Sequence, residues 1–286
     1  MRKLRPYAWL FAMALAYRIL IALPLERAGY MDASYTVHVA QQIAAGRGLA
    51  EFVLWNYLDQ PQSLPHPSNL YWLPLPALLT APFFALLGVN IHAAQTPFIL
   101  LSSILPLIAF YLARRMFQRD AYAWMAGLLT IFSGFYTIYW VAPDNFAPFA
   151  LTTSLALIFI ANGLYGRNRN WLLAGLFIGL SNLSRADGIL LLGVVPLTLW
   201  FLQKETGWRF KIAELFLVIV GYALVSVPWF GRNVIAIGSP LPPGSLQTMF
   251  LREYSEFFRF HVEDLTLARY IEQGPGPIIQ SKASAL

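Results

Sequence analysis

Leu70-Tyr-Trp-Leu-Pro74-Leu-Pro76-Ala-Leu-Leu-Thr-Ala-Pro82-Phe-Phe-Ala-Leu-Leu-Gly88 decides how this chain is threaded. It is nearly long and apolar enough to cross a bilayer, which takes about 20 such residues. Three prolines argue against an uninterrupted spanning helix, because each removes a backbone donor. The surrounding charges settle the reading. Arg2, Lys3 and Arg5 precede the first apolar run, and Arg114-Arg115-Arg119, Arg167-Arg169 and Lys204-Arg209-Lys211 lie between later ones. Basic clusters beside spans mark the cytoplasmic side. All four clusters share that side only if residues 70–88 do not cross. The stretch is therefore predicted to be a juxtamembrane helix on the outer face.

Working outward, apolar runs at 7–25, 92–113, 121–140, 146–165, 171–184, 188–202 and 212–230 read as spans. The prediction is an all-α membrane protein of about seven transmembrane helices, N-terminus cytoplasmic, with outer juxtamembrane helices. Arg18 within the first run, and the lack of a small-residue cleavage site, favour a retained helix over a signal peptide. Composition agrees. The 286 residues are 58% hydrophobic and 12% charged, against about 25% charged in soluble domains. Mean hydropathy is +0.55. No cysteine is present, so disulfide frameworks and thiolate metal sites are excluded. The net charge of +6 comes from topology clusters, not a nucleic-acid-binding surface. Residues 1–230 read as one transmembrane domain containing a first outer loop at 26–91. Residues 231–286 read as an outer-face tail, expected to be incomplete.

This threading puts most acids outside, so chemistry is expected on that face. Gly29-Tyr-Met-Asp32-Ala-Ser-Tyr35 opens a helix whose apolar positions Ala33, Val37, Ala40 and Ala44 recur at helical spacing. Asp32 stands where an N-cap would, and Gly46 and Gly48 close the helix. A capping aspartate is the plain alternative. His66 lies between prolines, followed by Tyr71 and Trp72, which also suit an interfacial aromatic belt. Asp144 precedes the fourth apolar run. Arg185 and Asp187 occupy a turn beside a run of about 21 Å at helical rise, and can pair with each other. Arg232 follows the last run. On one face, Asp32, His66, Asp144, Arg185 and Arg232 suit transfer from a phosphate-linked donor to a hydroxyl. A carboxylate abstracts the acceptor proton, and cations hold the phosphate.

These motifs together resemble the GT-C glycosyltransferases, closest to the branch of dolichyl-phosphate-mannose protein mannosyltransferases and the lipid A aminoarabinose transferase (family 39-like). The resemblance rests on Asp32 with its Gly46-Arg-Gly48 helix end, His66-Pro-Ser-Asn-Leu-Tyr71-Trp72, Leu86-Leu-Gly88 and Leu112-Ala-Arg-Arg115. It continues through Pro143-Asp144, Arg185-Ala-Asp-Gly188, Arg232-Asn233 and Gly238-Ser-Pro240, and covers about residues 5–245. It implies Asp32 as catalytic acid or base, with Asp144 beside it, and His66 towards the carrier phosphate; Arg185 and Arg232 are the further cations expected to hold that phosphate. Tyr35, Tyr71 and Trp72 are the substrate-contacting candidates. Ala33 departs from the family's paired acids, and the family's chains are usually about twice as long.

The function expected is an inverting membrane glycosyltransferase with Asp32 as general base. It would use a polyprenyl-phosphate-linked sugar and a protein, lipid or glycan acceptor at the cell (plasma or inner) membrane. A transporter or flippase, or a non-catalytic binder, of lipid-linked sugars is the alternative. No cofactor is assigned and no metal ligands are named. A divalent cation shared by Asp32 and Asp144 stays open.

Overall fold

The computed structural model describes residues 4–166, 168–203, 207–242, 244–258 and 265–284. Arg2, Lys3, Arg167 and Lys204, which belong to the predicted cytoplasmic clusters, lie outside them. The chain is mostly helical. Three helical stretches are long and apolar enough to cross a membrane: Ile91–Phe117, Phe146–Gly163 and Trp208–Ile237. Two compact units are distinguished, one of Met1–Gly46 with Leu73–Val227, the other of Arg47–Trp72 with Pro228–Leu286.

In the first unit, α1 (Arg5–Ala22) starts on Pro6 and buries Leu10, Ala14, Arg18 and Ala22. That four-residue step is one face of a helix. Next, α2 (Met31–Ala44) packs on α3 (Leu75–Leu87), which packs on α4 (Ile91–Ser102). With 13 residues, α3 is about 20 Å long, well short of a hydrocarbon core of about 30 Å. Asn90 caps α4 by accepting from the Ala93 N–H at 2.9 Å. After a break at Ser103–Ile104 the chain continues as α5 (Leu105–Phe117). Arg114 and Arg115 in its last turn meet the negative end of the helix dipole. Arg114 also pairs at 3.2 Å with Asp120, in the first turn of α6 (Asp120–Ile131).

The run at 121–140 is predicted as one span, but α6 stops at Ile131 after 12 residues, about 18 Å. A short 3₁₀ segment, Gly134–Thr137, and irregular chain follow. Two local causes are visible. Gly134 takes a φ of +59°, and Trp140 Nε1 donates to Ser133 Oγ at 2.7 Å, folding the apolar segment back. Arg18 completes the arrangement. Wholly buried, it donates from Nη2 to the Thr130 carbonyl at 3.2 Å. It thus serves the orphan carbonyls that any helix end leaves, and its charge suits that end of α6.

Beyond this, α7 (Phe146–Gly163) and α8 (Asn168–Ser184) pack side by side, then a 3₁₀ turn (Ala186–Leu190) leads to α9 (Leu191–Leu202). The long α10 (Trp208–Ile237) follows. Trp171, Ala174, Ile178, Val195 and Val218 form one core here. Gly175 and Gly221 let the α8 and α10 backbones touch. A Cβ at Gly175 would lie 2.0 Å from Val218 O, and one at Gly221 2.1 Å from Leu172 O. Small residues at such crossings are how helices pack closely in lipid.

In the second unit, β1 (Ala50–Glu51) pairs antiparallel with β2 (His66–Pro67), placing Glu51 opposite His66. The short helices α11 (Gly244–Gln247), α12 (Leu267–Glu272) and α13 (Pro275–Ser284) belong to the same unit.

Candidate active site

Within the first unit the structure gathers Asp32, Asp144 and Arg185 into one electrostatic neighbourhood. α2 begins two residues earlier than predicted, with Tyr30 as N-cap in place of Asp32 and no side-chain capping bond. Asp32 therefore sits inside the first turn, where the helix dipole favours a carboxylate. Tyr30 instead reaches across the fold. Its hydroxyl donates to Asp144 Oδ2 at 2.7 Å, and the Asn145 backbone N–H donates to Oδ1 at 2.6 Å. Asp144 is only 3% exposed. Burial pushes its carboxyl above the ordinary aspartate range, and the Asp32 charge adds to that. The two hydrogen bonds and the Arg185 charge pull the other way. Burial, then Asp144 and Asp32, drive the Tyr30 hydroxyl far up, so it stays a donor.

Arg185 grips Asp187 through both carboxylate oxygens, at 3.1 and 3.3 Å, and lies over the Phe149 ring with its carbon 5.3 Å from the centroid. The pairing allowed by sequence is thus present, with both side chains partly exposed (39% and 46%). Gly188 makes the turn feasible, since a Cβ there would meet the Asn182 nitrogen and the Ser181 carbonyl carbon at 2.5 Å. Tyr35, the predicted substrate contact on α2, is 2% exposed and belongs to the core.

The remaining predicted residues fall in the second unit. His66 lies between two acids, its Nδ1 3.7 Å from Glu51 and its Nε2 3.5 Å from Asp59. Burial disfavours the charged imidazole, but the acids win and its pKa rises. Burial raises Asp59 as well. Arg232 clamps the hairpin, donating from Nη2 to Leu49 O at 2.7 Å and from Nη1 to Asn233 Oδ1 at 3.1 Å. Its guanidinium also covers the Trp229 ring, 5.0 Å from the centroid. Tyr71 and Trp72 pack edge-on against each other and around Phe257.

Sequence reasoning missed four participants. Tyr30 carries no charge to single it out, although its place two residues before Asp32 is a signal. Glu51 and Asp59 counted only as outer acids, and the Asn145 N–H carries no sequence signal. Among the described residues no group of three or more His, Asp or Glu is placed to hold a metal. Asp32 and Asp144 supply two carboxylates. Chemically, the first unit offers a carboxylate in a helix first turn, a buried carboxyl of raised pKa and a half-exposed arginine.

Residues 65–230 match the family described as dolichyl-phosphate-mannose-protein mannosyltransferase. The matched segment is more than half of the 286 residues. It contains Asp144 and Arg185, and Asp32 precedes it. No curated protein and no solved structure matches the chain.

Proposed function

The chain belongs to the dolichyl-phosphate-mannose-protein mannosyltransferase family, and we propose that it moves a sugar from a polyprenyl-phosphate carrier to a hydroxyl acceptor on the outer face of the membrane. Asp32 acts as general base. The acceptor O–H breaks and its proton passes to the Asp32 carboxylate. The freed oxygen pair bonds the anomeric carbon as the carbon–phosphate oxygen bond breaks, inverting the centre. Prenyl phosphate leaves with that electron pair, and Arg185 stabilises its charge.

The observation that carries this reading is the electrostatic coupling of Asp32, Asp144 and Arg185. Two ionised acids would repel a phosphate-bearing donor. Burial and the Asp32 charge favour the neutral form of Asp144, which reduces that repulsion. Divergent environments for two nearby carboxyl groups are a usual way of separating their roles. His66 and Arg232 lie in the second unit, each engaged by its own hairpin neighbours, and the transfer step is assigned without them. Seven spans, with α3 on the outer surface, accompany it. The transporter alternative leans on Arg18 as an ionisable group within a span, and the Thr130 carbonyl gives Arg18 a structural role.

Asp32→Asn is expected to reduce transfer from radiolabelled polyprenyl-phosphate mannose by at least about a hundredfold, with normal membrane insertion. Transfer at the wild-type rate would overturn the assignment.

A further inference from the structure

Two of the helical stretches long and apolar enough to cross a membrane, Ile91–Phe117 and Phe146–Gly163, end side by side. Arg115 joins them, donating from Nη1 to Asn162 Oδ1 at 2.8 Å and lying over the Tyr165 ring, 5.6 Å from its centroid. The ends of two spans mark a bilayer surface, and this one is basic. Arg114, Arg115, Arg119 and Arg169 are all exposed. Asp120 offsets only Arg114, through their 3.2 Å ion pair. Arg115 bonds to the neutral Tyr111 and Asn162 side chains, and Arg119 lies over the Tyr122 ring at 5.9 Å, so both keep their charge. Between α5 and α6 an open pocket of about 490 Å³ is lined by Arg114, Gln118 and Asp120. Gln118, at a φ of +56°, makes the tight turn that shapes it. Met116 and Phe117 are exposed beside it.

We propose that this pocket binds the headgroup of an anionic phospholipid that carries hydroxyl groups. Phosphate oxygens accept from Arg115 and Arg119, whose planar guanidinium forks match them. Headgroup hydroxyls donate to Asp120 and bond with Gln118. The acyl chains run over Met116 and Phe117, a contact that a free phosphate cannot make. A choline headgroup fits poorly, because it brings a fixed cation to a cluster of arginines and no hydroxyl to Asp120. The predicted threading puts this end at the cytoplasmic leaflet, where anionic lipids concentrate. None of these residues takes part in the transfer step, so the site stands apart from that reading.

The test follows thermal unfolding of the full chain in detergent, titrated with dihexanoylphosphatidylglycerol, dihexanoylphosphatidylcholine or inorganic phosphate. Only the phosphatidylglycerol is expected to raise the midpoint in a saturable way. Each arginine near a membrane surface is worth about fivefold in affinity for anionic lipid. Arg115→Gln combined with Arg119→Gln should therefore weaken binding about thirtyfold. Arg209→Gln combined with Lys211→Gln, in the basic cluster where α10 starts, should leave it unchanged. Arg119→Gln alone, at an exposed turn position, repeats the test with about fivefold weakening should the first pair not fold. No stabilisation by phosphatidylglycerol, equal stabilisation by phosphatidylcholine or phosphate, or equal losses from the two pairs overturns the proposal.

Discussion

The raised Asp144 carboxyl predicts how stability and transfer respond to pH. Its folded pKa lies above the unfolded value of about 3.9. A raised carboxyl contributes stability below that unfolded value and loses the contribution as pH rises through the folded pKa. Asp144→Asn, which still accepts from Tyr30, is therefore expected to be at least as stable as wild type at neutral pH. Its relative advantage should disappear towards pH 4, as thermal unfolding in detergent would register. Tyr30→Phe removes a hydrogen bond that holds the Asp144 pKa down, so that pKa climbs further. The basic limb of kcat/KM, where the neutral Asp144 loses its proton, should then move to higher pH, and an unmoved limb would separate Asp144 from catalysis. At this scale the sequence was half legible. Asp32, Asp144 and Arg185 stood out as charges in an apolar chain. Tyr30 did not, because tyrosine is common at membrane interfaces whatever its role.

Among the elements, α6 departs furthest from expectation. Residues 132–140 are as apolar and aromatic as a true span, so hydropathy continues past the point where the helix ends. Gly134 and the Trp140–Ser133 bond turn the chain there, and Arg18 from a distant helix serves the helix end, none of which hydropathy reports. Replacing Arg18 by Met sets two effects against each other. A charged arginine at membrane depth costs about 2.5–3.5 kcal/mol, and a hydrogen bond to a charged group returns about 1.5–3 kcal/mol. Near-balance is the expected result, with unfolding shifted by no more than about 1 kcal/mol. Hydrogen exchange at residues 132–136 should nevertheless accelerate, because the helix end has lost its donor. The helices α1, α4–α5, α7 and α10 were readable from apolar runs, and α3 from its prolines. Gly188 supports a sharper prediction. Ala there must displace backbone atoms at 2.5 Å, which should destabilise by about 1–3 kcal/mol and lower transfer by disturbing Arg185.

For the whole molecule, orientation is the question that chemistry can answer directly. The chain has no cysteine, so single introduced thiols report without background. Arg27→Cys and Tyr136→Cys, at exposed positions near α2 and after α6, are expected to react with an impermeant maleimide on intact cells. Arg119→Cys, in the turn between α5 and α6, should react only after permeabilisation. Labelling of 27 and 136 from opposite sides would exclude a shared site for Asp32 and Asp144. The charge clusters are what predict this threading, since their bias acts on whole loops. The grouping of residues 47–72 with the tail was not readable, because it depends on contacts such as Arg232 with Leu49.

The glycine crossing of α8 and α10 also constrains how a long isoprenoid could arrive. Where backbones approach so closely that a single methyl group would clash, no hydrocarbon chain can slip between them. That seam is closed to lateral diffusion from the bilayer. A carrier lipid must dock its tail along some other helix boundary, and enlarging Gly175 would wedge the seam apart without supplying a route.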